Sequence, residues 1–251
     1  MKTVFDIGMY DGTDTAYYLE SGYRVVAVEA NPLLVERAQQ KFAPQLASGQ
    51  LVCVHAAVAA SADPVELIVS GDDLGASSIV GGKVAHRRPI GSITVQGMTM
   101  QELFARHGVP YYMKVDIEGA DRLCVLGLTP KARPDYVSFE IGDDVEELIA
   151  HAQTVGLTRF KIINQVCLRE LAHERSFSDR AVLRLIRSLG YAQPRMIRRD
   201  GRFFSAGLCS GPVPWKTDGR WYTGTETISR WRTAKVVNAG SAWYDIHASI
   251  E

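Results

Sequence analysis

A short strand followed by two glycines constrains the fold more than any other feature of this sequence. Residues 4–7 form a mainly apolar run that is too short for a helix, Gly8 and Gly12 follow it, and a helical pattern covers residues 13–21. This order of strand, tight turn and helix is typical of the first unit of a nucleotide-binding α/β sheet. The glycines let a ligand approach the backbone, and the helix start directs free N–H groups at it. The turn is therefore predicted to bind a cofactor through Asp6, Gly8, Tyr10, Asp11, Gly12 and Thr13.

A second predicted strand, residues 24–29, ends at Glu29. A carboxylate at the end of this strand is placed to accept hydrogen bonds from a ribose diol, which indicates an adenosine-type cofactor. The next residues, Ala30 and Asn31, are predicted to contact the same cofactor. Asn31 is also the expected N-cap of a helix that begins with Pro32, where the missing N–H of proline has no cost, and that runs to about residue 42.

Two departures from the dinucleotide-binding fingerprint decide which adenosine cofactor fits. The nicotinamide enzymes carry a second glycine two residues after the first, where the backbone meets a pyrophosphate, and this chain has Tyr10 there. The carboxylate of Asp6 is expected beside the ligand, where it would repel a phosphate and attract an ammonium. A cofactor with an amino-acid end and no phosphate fits best, and S-adenosylmethionine is such a cofactor.

With these motifs the sequence resembles the FkbM-type class I methyltransferases. The resemblance covers about residues 3–142 and is carried by residues 5–8 with 12–15, by residues 26–32, by the Lys-Val-Asp-Ile-Glu-Gly-Ala segment at 114–120 with Val125 and Leu126, and by residues 137–140. Family members often carry Asn where this chain has Tyr10. The resemblance implies a seven-stranded Rossmann-like α/β sheet with helices on both faces. It also implies that the last strand inserts antiparallel between the fifth and sixth, and that the adenine ring lies near His55, Ala56 and Ala57.

Further strands are predicted at residues 51–56, 111–116, 136–141 and 160–164, and a final one at 242–248. Thr99 is predicted to cap a helix that ends near residue 107. Two segments interrupt this alternation, at residues 65–97 and 165–238. We expect one domain, 1–251, with the first segment as a substrate-side excursion containing two strands and the second as an insertion that forms a lid or a subunit contact. A subunit contact would make the protein a homo-oligomer.

Three carboxylates at predicted strand ends are the catalytic candidates: Asp116, Glu118 and Glu140. Burial of a carboxylate at the carboxyl edge of a parallel sheet destabilises the fold unless the group is solvated, paired with a cation or in contact with a ligand. Asp116 is also expected to contact the cofactor, and Asp116 or Glu118 is a candidate general base for the acceptor. The alternative for Glu118 is a stabilising charge in the first turn of the next helix. The three carboxylates could also supply oxygen ligands for magnesium, although the sequence does not require a metal.

The substrate-binding candidates lie in the two interrupting segments. Ser77 and Ser78 match a small polar spot of the family near the active site, and two solvated loop serines are the alternative. His173 is a candidate mobile base or a surface helix residue, and a helix is predicted at 178–189. Residues 86–88, His-Arg-Arg, bind an anion or form a solvated loop. Trp215, Trp221 and Trp231 either stack on a flat substrate or cover the core.

Composition limits the class of partner. The 251-residue chain has 28 Lys and Arg against 28 Asp and Glu, so no global basic field argues for nucleic acid. No apolar run approaches the length needed to cross a bilayer, and the first strand begins too close to Met1 for a signal peptide, so we expect a cytoplasmic protein. Four scattered cysteines predict buried free thiols rather than disulfides or zinc ligands. A small-molecule acceptor, a sugar or a metabolite, is the expected partner.

The sequence therefore predicts an S-adenosylmethionine-dependent methyltransferase that methylates an oxygen of a sugar or secondary metabolite. Two alternatives stay open. One is a non-catalytic cofactor-binding or assembly protein, and the other is an NAD(P)-dependent dehydrogenase, which Tyr10 and Asp6 disfavour.

Overall fold

The computed structural model of the protein describes residues 1–71, 73–81, 88–171, 195–237 and 243–251, except for the side chains of residues 195 and 235–237. His86, Arg87, His173 and the predicted helix at 178–189 lie outside the described residues. The chain divides into two units, Met1–Asp135 and Tyr136–Glu251.

The first unit alternates strands and helices. In chain order its elements are β1 (Thr3–Ile7), α1 (Thr13–Glu20), β2 (Arg24–Glu29), α2 (Pro32–Lys41), α3 (Ala43–Ala47), β3 (Leu51–His55), β4 (Ala57–Val58), β5 (Val65–Ser70), a 3₁₀ turn (Leu74–Ala76), β6 (Pro89–Val95), β7 (Gly97–Met98), α4 (Met100–His107), β8 (Tyr112–Val115) and α5 (Asp121–Leu126). The strands predicted at 24–29, 51–56 and 111–116 are confirmed to within one residue at each end.

A parallel sheet in the order β8, β1, β2, β3 forms the centre of this unit. Val4, Phe5, Val25 and Val26 are completely buried, as expected for strands that are covered on both faces. Two local motifs set the starts of helices. The Asn31 side chain accepts a hydrogen bond from Leu33 N (3.0 Å) at the start of α2, and Thr99 forms a reciprocal capping box with Glu102 at the start of α4.

The excursion between β3 and α4 contains the two predicted strands. β5 and β6 pair antiparallel, with Val65 opposite Val95, and β4 pairs parallel with β7. Leu67 and Val95 pack with Ala57 in a small apolar cluster.

The second unit is built around antiparallel pairing. Its elements are β9 (Tyr136–Glu140), α6 (Val145–Thr154), β10 (Arg159–Asn164), β11 (Arg169–Glu170), β12 (Arg195–Arg199), β13 (Arg202–Ala206), a 3₁₀ turn (Pro214–Lys216), α7 (Gly224–Val237) and β14 (Tyr244–Ser249). The strand order is β11, β10, β14, β9, and β14 runs antiparallel to both β9 and β10. The antiparallel insertion of the last strand between the fifth and the sixth strand is confirmed.

The prediction of seven sheet strands is wrong by one, because each unit contributes four. The additional strand is the two-residue β11, which pairs with the end of β10. The Asn164 side chain accepts hydrogen bonds from the backbone N–H groups of Val166 (2.8 Å) and Cys167 (3.0 Å), and Leu168 takes a left-handed φ of 53°. These local bonds reverse the chain directly after β10, so that β11 returns along it.

The segment at 165–238 has more regular structure than the sequence predicts. It contains the β12–β13 hairpin and the 14-residue helix α7. The tryptophan rings contact aromatic residues of the same unit: Trp215 lies 4.7 Å and Trp221 6.3 Å from Tyr136, and Trp231 lies 5.4 Å from Tyr244, between ring centroids. These contacts favour the interpretation that the tryptophans cover the core.

All four cysteines are free, and Cys124, Cys167 and Cys209 are buried, while Cys53 is partly exposed. Within the described ranges, none of the helices combines the length and the apolar character that a bilayer crossing requires.

Candidate functional site

The first unit has a topological switch point between β1 and β8. From β1 the chain runs outward to β2 and β3, and it then returns to β8 on the other side of β1. Open parallel sheets bind ligands in the crevice outside the strand ends at this point. Gly8 follows β1 and Asp116 follows β8, and the two strands stay paired to their ends, since Asp116 N donates to Ile7 O at 2.9 Å.

Gly8 is required by the close approach of these two strand ends. Its φ is +82°, and a Cβ at this position would lie 1.8 Å from the backbone oxygen of Asp116. Gly12 is similarly restricted, because its φ is +75° and a Cβ would lie 2.6 Å from the Phe42 ring. The predicted glycine turn therefore brings bare backbone to the edge of the switch point.

Glu29 joins the glycine turn to the end of β2. Its Oε2 accepts from Tyr10 N (2.9 Å) and its Oε1 accepts from Asn31 N (2.8 Å). Burial raises the pKa of Glu29, and the backbone N–H groups oppose this shift by favouring the carboxylate. Each oxygen keeps a further acceptor position, so Glu29 can hold the turn and still accept hydrogen bonds from a diol.

Tyr10 adopts a left-handed φ of 52° in the turn, an uncommon conformation for a residue with a side chain. Its ring packs on the backbone of the excursion, where a Cβ on Gly75 would lie 2.8 Å from Tyr10 Cδ2. Burial, a hydrogen bond to Asp73 and the charge of that residue raise the pKa of Tyr10 to about 12. The tyrosine thus links the cofactor turn to residues 73–75.

The position of Asp6 differs from the expectation. The carboxylate is completely buried; it accepts from Thr15 Oγ1 at 2.5 Å and lies 3.3 Å from Lys114 Nζ. Burial raises the pKa of Asp6, and the Lys114 ammonium opposes that shift. Because its side chain is enclosed below the turn, Asp6 is not placed to attract a ligand's ammonium group directly.

Lys114 is the important residue that the sequence analysis missed. Its ammonium is buried, donates to Gly8 O (2.8 Å) and lies 3.3 Å from Asp6, 3.6 Å from Asp116 and 3.9 Å from Asp14. Burial opposes the charge, but the surrounding carboxylates outweigh burial and raise the pKa of Lys114 above its ordinary value. The signal in the sequence was a lysine within an otherwise apolar strand, which is expensive to bury unless it is paired.

Asp116 is the most accessible carboxylate of this cluster. Its side chain is 43% exposed, while those of Asp6, Asp14 and Lys114 are almost completely buried. The carboxylate therefore has one oxygen directed at a fixed buried cation and remains open to a ligand in the crevice. This arrangement suits a hydrogen-bond acceptor or a general base.

Glu118 does not lie in the first turn of a helix, because α5 begins at Asp121. The helix-charge alternative for Glu118 is therefore wrong, and Asp121 occupies the first turn instead. Glu118 has a left-handed φ of 49°, and its backbone oxygen accepts from Ser78 Oγ at 2.7 Å.

Both predicted substrate-binding serines make hydrogen bonds within the unit. Ser78 is buried and joins the excursion to the loop after β8 through Glu118. Ser77 Oγ donates to Leu74 O (2.7 Å) and accepts from Ser70 N (3.2 Å). These bonds place the excursion beside the loop that carries Asp116 and Glu118.

The remaining predicted cofactor residues lie around the ends of β2 and β3. His55 is opposite Glu29 in the strand register, and His55 Nε2 lies 3.2 Å from Ala30 O. Ala56 and Ala57 are buried and apolar, as an adenine pocket requires. The Asn31 side chain is occupied by its capping bond to Leu33. In the turn, Asp11 Oδ1 accepts from Thr13 N at 2.8 Å.

Glu140 ends β9 in the second unit, where it is opposite Asp245 of β14 in register. Its catalytic role stays a prediction, and so does that of His173, which lies outside the described residues. In the part of the chain that the structure describes, no group of three or more His, Cys, Asp or Glu side chains could hold a metal ion. The suggested magnesium site at Asp116, Glu118 and Glu140 therefore has no structural support.

A search of curated protein sequences gives no significant match. Among solved structures, a precorrin-6y C5,15-methyltransferase from Geobacter metallireducens GS-15 is similar with a TM-score of 0.43 and 8% identity, covering 100% of this chain and 80% of that one. A TehB-like SAM-dependent methyltransferase from Corynebacterium glutamicum (TM-score 0.36, 12% identity) covers 64% and 68% of the two chains. A SAM-dependent methyltransferase from Thiobacillus denitrificans, in complex with S-adenosyl-L-homocysteine (TM-score 0.35, 9% identity), covers 100% and 85%.

The family described as Methyltransferase FkbM domain matches residues 6–192, which is well over half of the chain. That span includes the glycine turn, Glu29, the excursion and the Lys114 cluster. The protein belongs to the FkbM methyltransferase domain family.

Proposed function

We propose that the protein is an S-adenosylmethionine-dependent methyltransferase that methylates a hydroxyl oxygen of a sugar or secondary metabolite. One observation carries the proposal. The glycine turn, which is hydrogen-bonded to Glu29, lies beside the half-exposed Asp116 at the switch point of the parallel sheet. Membership of a methyltransferase family supports the reaction class, and the carboxylate beside the turn supports a hydroxyl acceptor.

The residues around the turn fit the proposed cofactor. Gly8 leaves the backbone bare, and Glu29 offers acceptor positions for the ribose hydroxyls. The buried Ala56 and Ala57, together with His55 and Ala30, provide an apolar wall with a polar edge for the adenine ring. We assign Asp6 a positioning role, because it contacts Lys114 and not the crevice.

The cofactor supplies a methyl group on a cationic sulfur, which is the electrophile of the reaction. Asp116 would accept the proton of the acceptor hydroxyl as that oxygen takes the methyl group. Lys114 fixes the direction of the Asp116 carboxylate from 3.6 Å. Orientation of the acceptor and removal of its proton supply the rate enhancement. Glu118 is a further candidate for contact with the acceptor.

The first experiment measures thermal stabilisation of the purified protein by S-adenosylhomocysteine, NAD and NADP. A ligand at a hundred times its dissociation constant stabilises the native state by about 2.7 kcal/mol. We expect stabilisation by S-adenosylhomocysteine alone, its loss in Glu29→Ala, and its retention in Glu36→Ala, which removes an exposed carboxylate from α2. Stabilisation by a nicotinamide nucleotide instead would support the dehydrogenase alternative.

The second experiment supplies methyl-labelled S-adenosylmethionine with panels of sugars and secondary metabolites, and identifies the products by mass spectrometry and NMR. We expect the label in an O-methyl ether. Transfer to nitrogen or carbon would contradict the hydroxyl acceptor, while keeping the methyltransferase. Binding of the cofactor without transfer to any acceptor would support the non-catalytic alternative.

A further inference from the structure

A cavity of about 390 Å³ lies beside the cofactor turn in the first unit. It is lined by Tyr10, Asp11, Leu34, Arg37, Ala38, Lys41, Asp73 and Leu74. We call it the α2 cavity, because four of these residues, spaced by three, four and seven positions from Leu34, form one face of α2. Its volume is within the range of small-molecule sites in proteins.

The α2 cavity is separate from the crevice at the switch point. Gly8, Glu29, His55 and Asp116 do not line it, and Tyr10 and Asp11 are the predicted cofactor residues that do. The backbone N–H of Tyr10 holds Glu29, whereas its ring contributes to the cavity wall. The residues predicted to hold the ribose and the adenine ring, and the candidate base Asp116, therefore lie outside the α2 cavity.

Most polar groups of the α2 cavity are already engaged. Asp11 Oδ1 accepts from Thr13 N, and Asp73 Oδ1 accepts from Gly75 N at 2.9 Å. Lys41 Nζ donates to Asp11 O at 2.9 Å, which leaves two of its three N–H donors.

Arg37 is different, because its guanidinium makes no hydrogen bond or ion pair with the residues that the structure describes. It lines the cavity from the exposed side of α2, four residues before Lys41. A guanidinium offers five donors in a planar fork that matches the oxygens of a carboxylate or a phosphate. On the same face of α2, Leu34 and Ala38 are buried and add apolar surface to the cavity wall.

We propose that the α2 cavity binds a small anionic metabolite, at the same time as the cofactor, through Arg37 and Lys41. The ligand carries a carboxylate or a phosphate group on a compact apolar body. The anionic group takes the donors of Arg37 and the two remaining donors of Lys41, and the body packs on Leu34, Ala38 and the Tyr10 ring. The engaged carboxylates of Asp11 and Asp73 disfavour a ligand with more negative charge on its body.

The test uses three probes of similar shape: phenyl phosphate, benzoate and benzyl alcohol. Titration calorimetry with the full chain, in the presence of saturating S-adenosylhomocysteine, measures their dissociation constants. We expect phenyl phosphate or benzoate to bind and benzyl alcohol to bind at least about tenfold more weakly. Arg37→Ala should weaken the anion by at least about tenfold, while Arg106→Ala, an exposed arginine on α4, should leave it unchanged.

Each other outcome overturns the proposal. If the neutral and anionic probes bind equally well, or if the anion binds equally well to wild type and Arg37→Ala, the α2 cavity is not an anion site. If neither phenyl phosphate nor benzoate binds at millimolar concentration, the α2 cavity is likewise not an anion site. Competition between an anion and S-adenosylhomocysteine would assign the cavity to the cofactor. If S-adenosylhomocysteine itself fails to bind, the proposed function fails, and the comparison of wild type with Arg37→Ala still tests the α2 cavity.

Discussion

Lys114 and Asp6 form an ion pair of 3.3 Å from which solvent is excluded on both sides. The Lys114 ammonium also donates a hydrogen bond to the backbone oxygen of Gly8 and forms an ion pair with the accessible carboxylate of Asp116. One buried cation therefore connects the floor of the cofactor turn with the candidate catalytic group.

Substitution of Lys114 by Met leaves the Asp6 carboxylate buried without its cation. We expect a loss of about 3–5 kcal/mol in the free energy of unfolding, measured by urea denaturation, because an uncompensated buried charge is strongly unfavourable. Adding Asp6→Asn to Lys114→Met should recover part of this loss, since the second change removes the stranded charge.

Arg232→Met is the control for Lys114→Met. Arg232 pairs with Glu146 at the surface, where its side chain is 68% exposed. The loss there should be below about 1 kcal/mol. If Lys114→Met were no more destabilising than Arg232→Met, the buried pair would have no special importance for stability.

The close approach of Gly8 to Asp116 predicts a second stability effect. Gly8→Ala should lower the free energy of unfolding by more than Gly49→Ala, since a Cβ on Gly8 meets a backbone oxygen at 1.8 Å. Gly49 has a similar φ of 73° but nothing within 4 Å, so its substitution measures the left-handed strain alone, about 1–2 kcal/mol. If the two variants lose the same free energy of unfolding, the turn moves to accommodate the added methyl group.

Local patterns were sufficient to predict most elements of the first unit. The Asn31–Pro32 start of α2 and the Thr99 cap of α4 are read from a few adjacent residues, and the structure has both. The glycine turn is local in the same sense. Helix α7 was missed because its polar and apolar residues do not separate onto two faces, so it gives little periodic signal.

The Lys114 cluster could not be predicted in this way. Its partners Asp6 and Asp14 are about a hundred residues earlier in the sequence, and only the pairing of β1 with β8 brings them together. The burial of Asp6 depends on that contact. Asp6 is predicted from the sequence to face the ligand, because a carboxylate at a strand end gives the same local pattern whether a ligand or a distant lysine neutralises it.

Asp116→Asn tests the proposed base. We expect kcat for methyl transfer to fall by about 10²- to 10⁴-fold, because an amide cannot take the hydroxyl proton. The dissociation constant of S-adenosylhomocysteine measures the expected cofactor contact of Asp116 separately, and it should rise far less than kcat falls because Glu29 and the turn are intact. Asp63→Asn, an exposed loop carboxylate, is the control and should keep full activity. If kcat is unchanged in Asp116→Asn, Asp116 is not the general base.

His247 predicts how stability depends on pH. The ring is buried on β14 opposite Lys161, and burial, with a smaller effect of the Lys161 charge, lowers the pKa of His247 to about 3. Between about pH 3 and 6.5 the unfolded chain therefore binds a proton that the folded chain does not, so the stability from His247 is present above pH 6.5 and is lost as the pH falls. The slope is at most about 1.4 kcal/mol per pH unit. Urea denaturation at pH 5 and pH 7 should give a smaller difference in the free energy of unfolding for His247→Phe than for the wild type. Equal pH dependence in wild type and His247→Phe would mean that His247 is protonated in the folded protein.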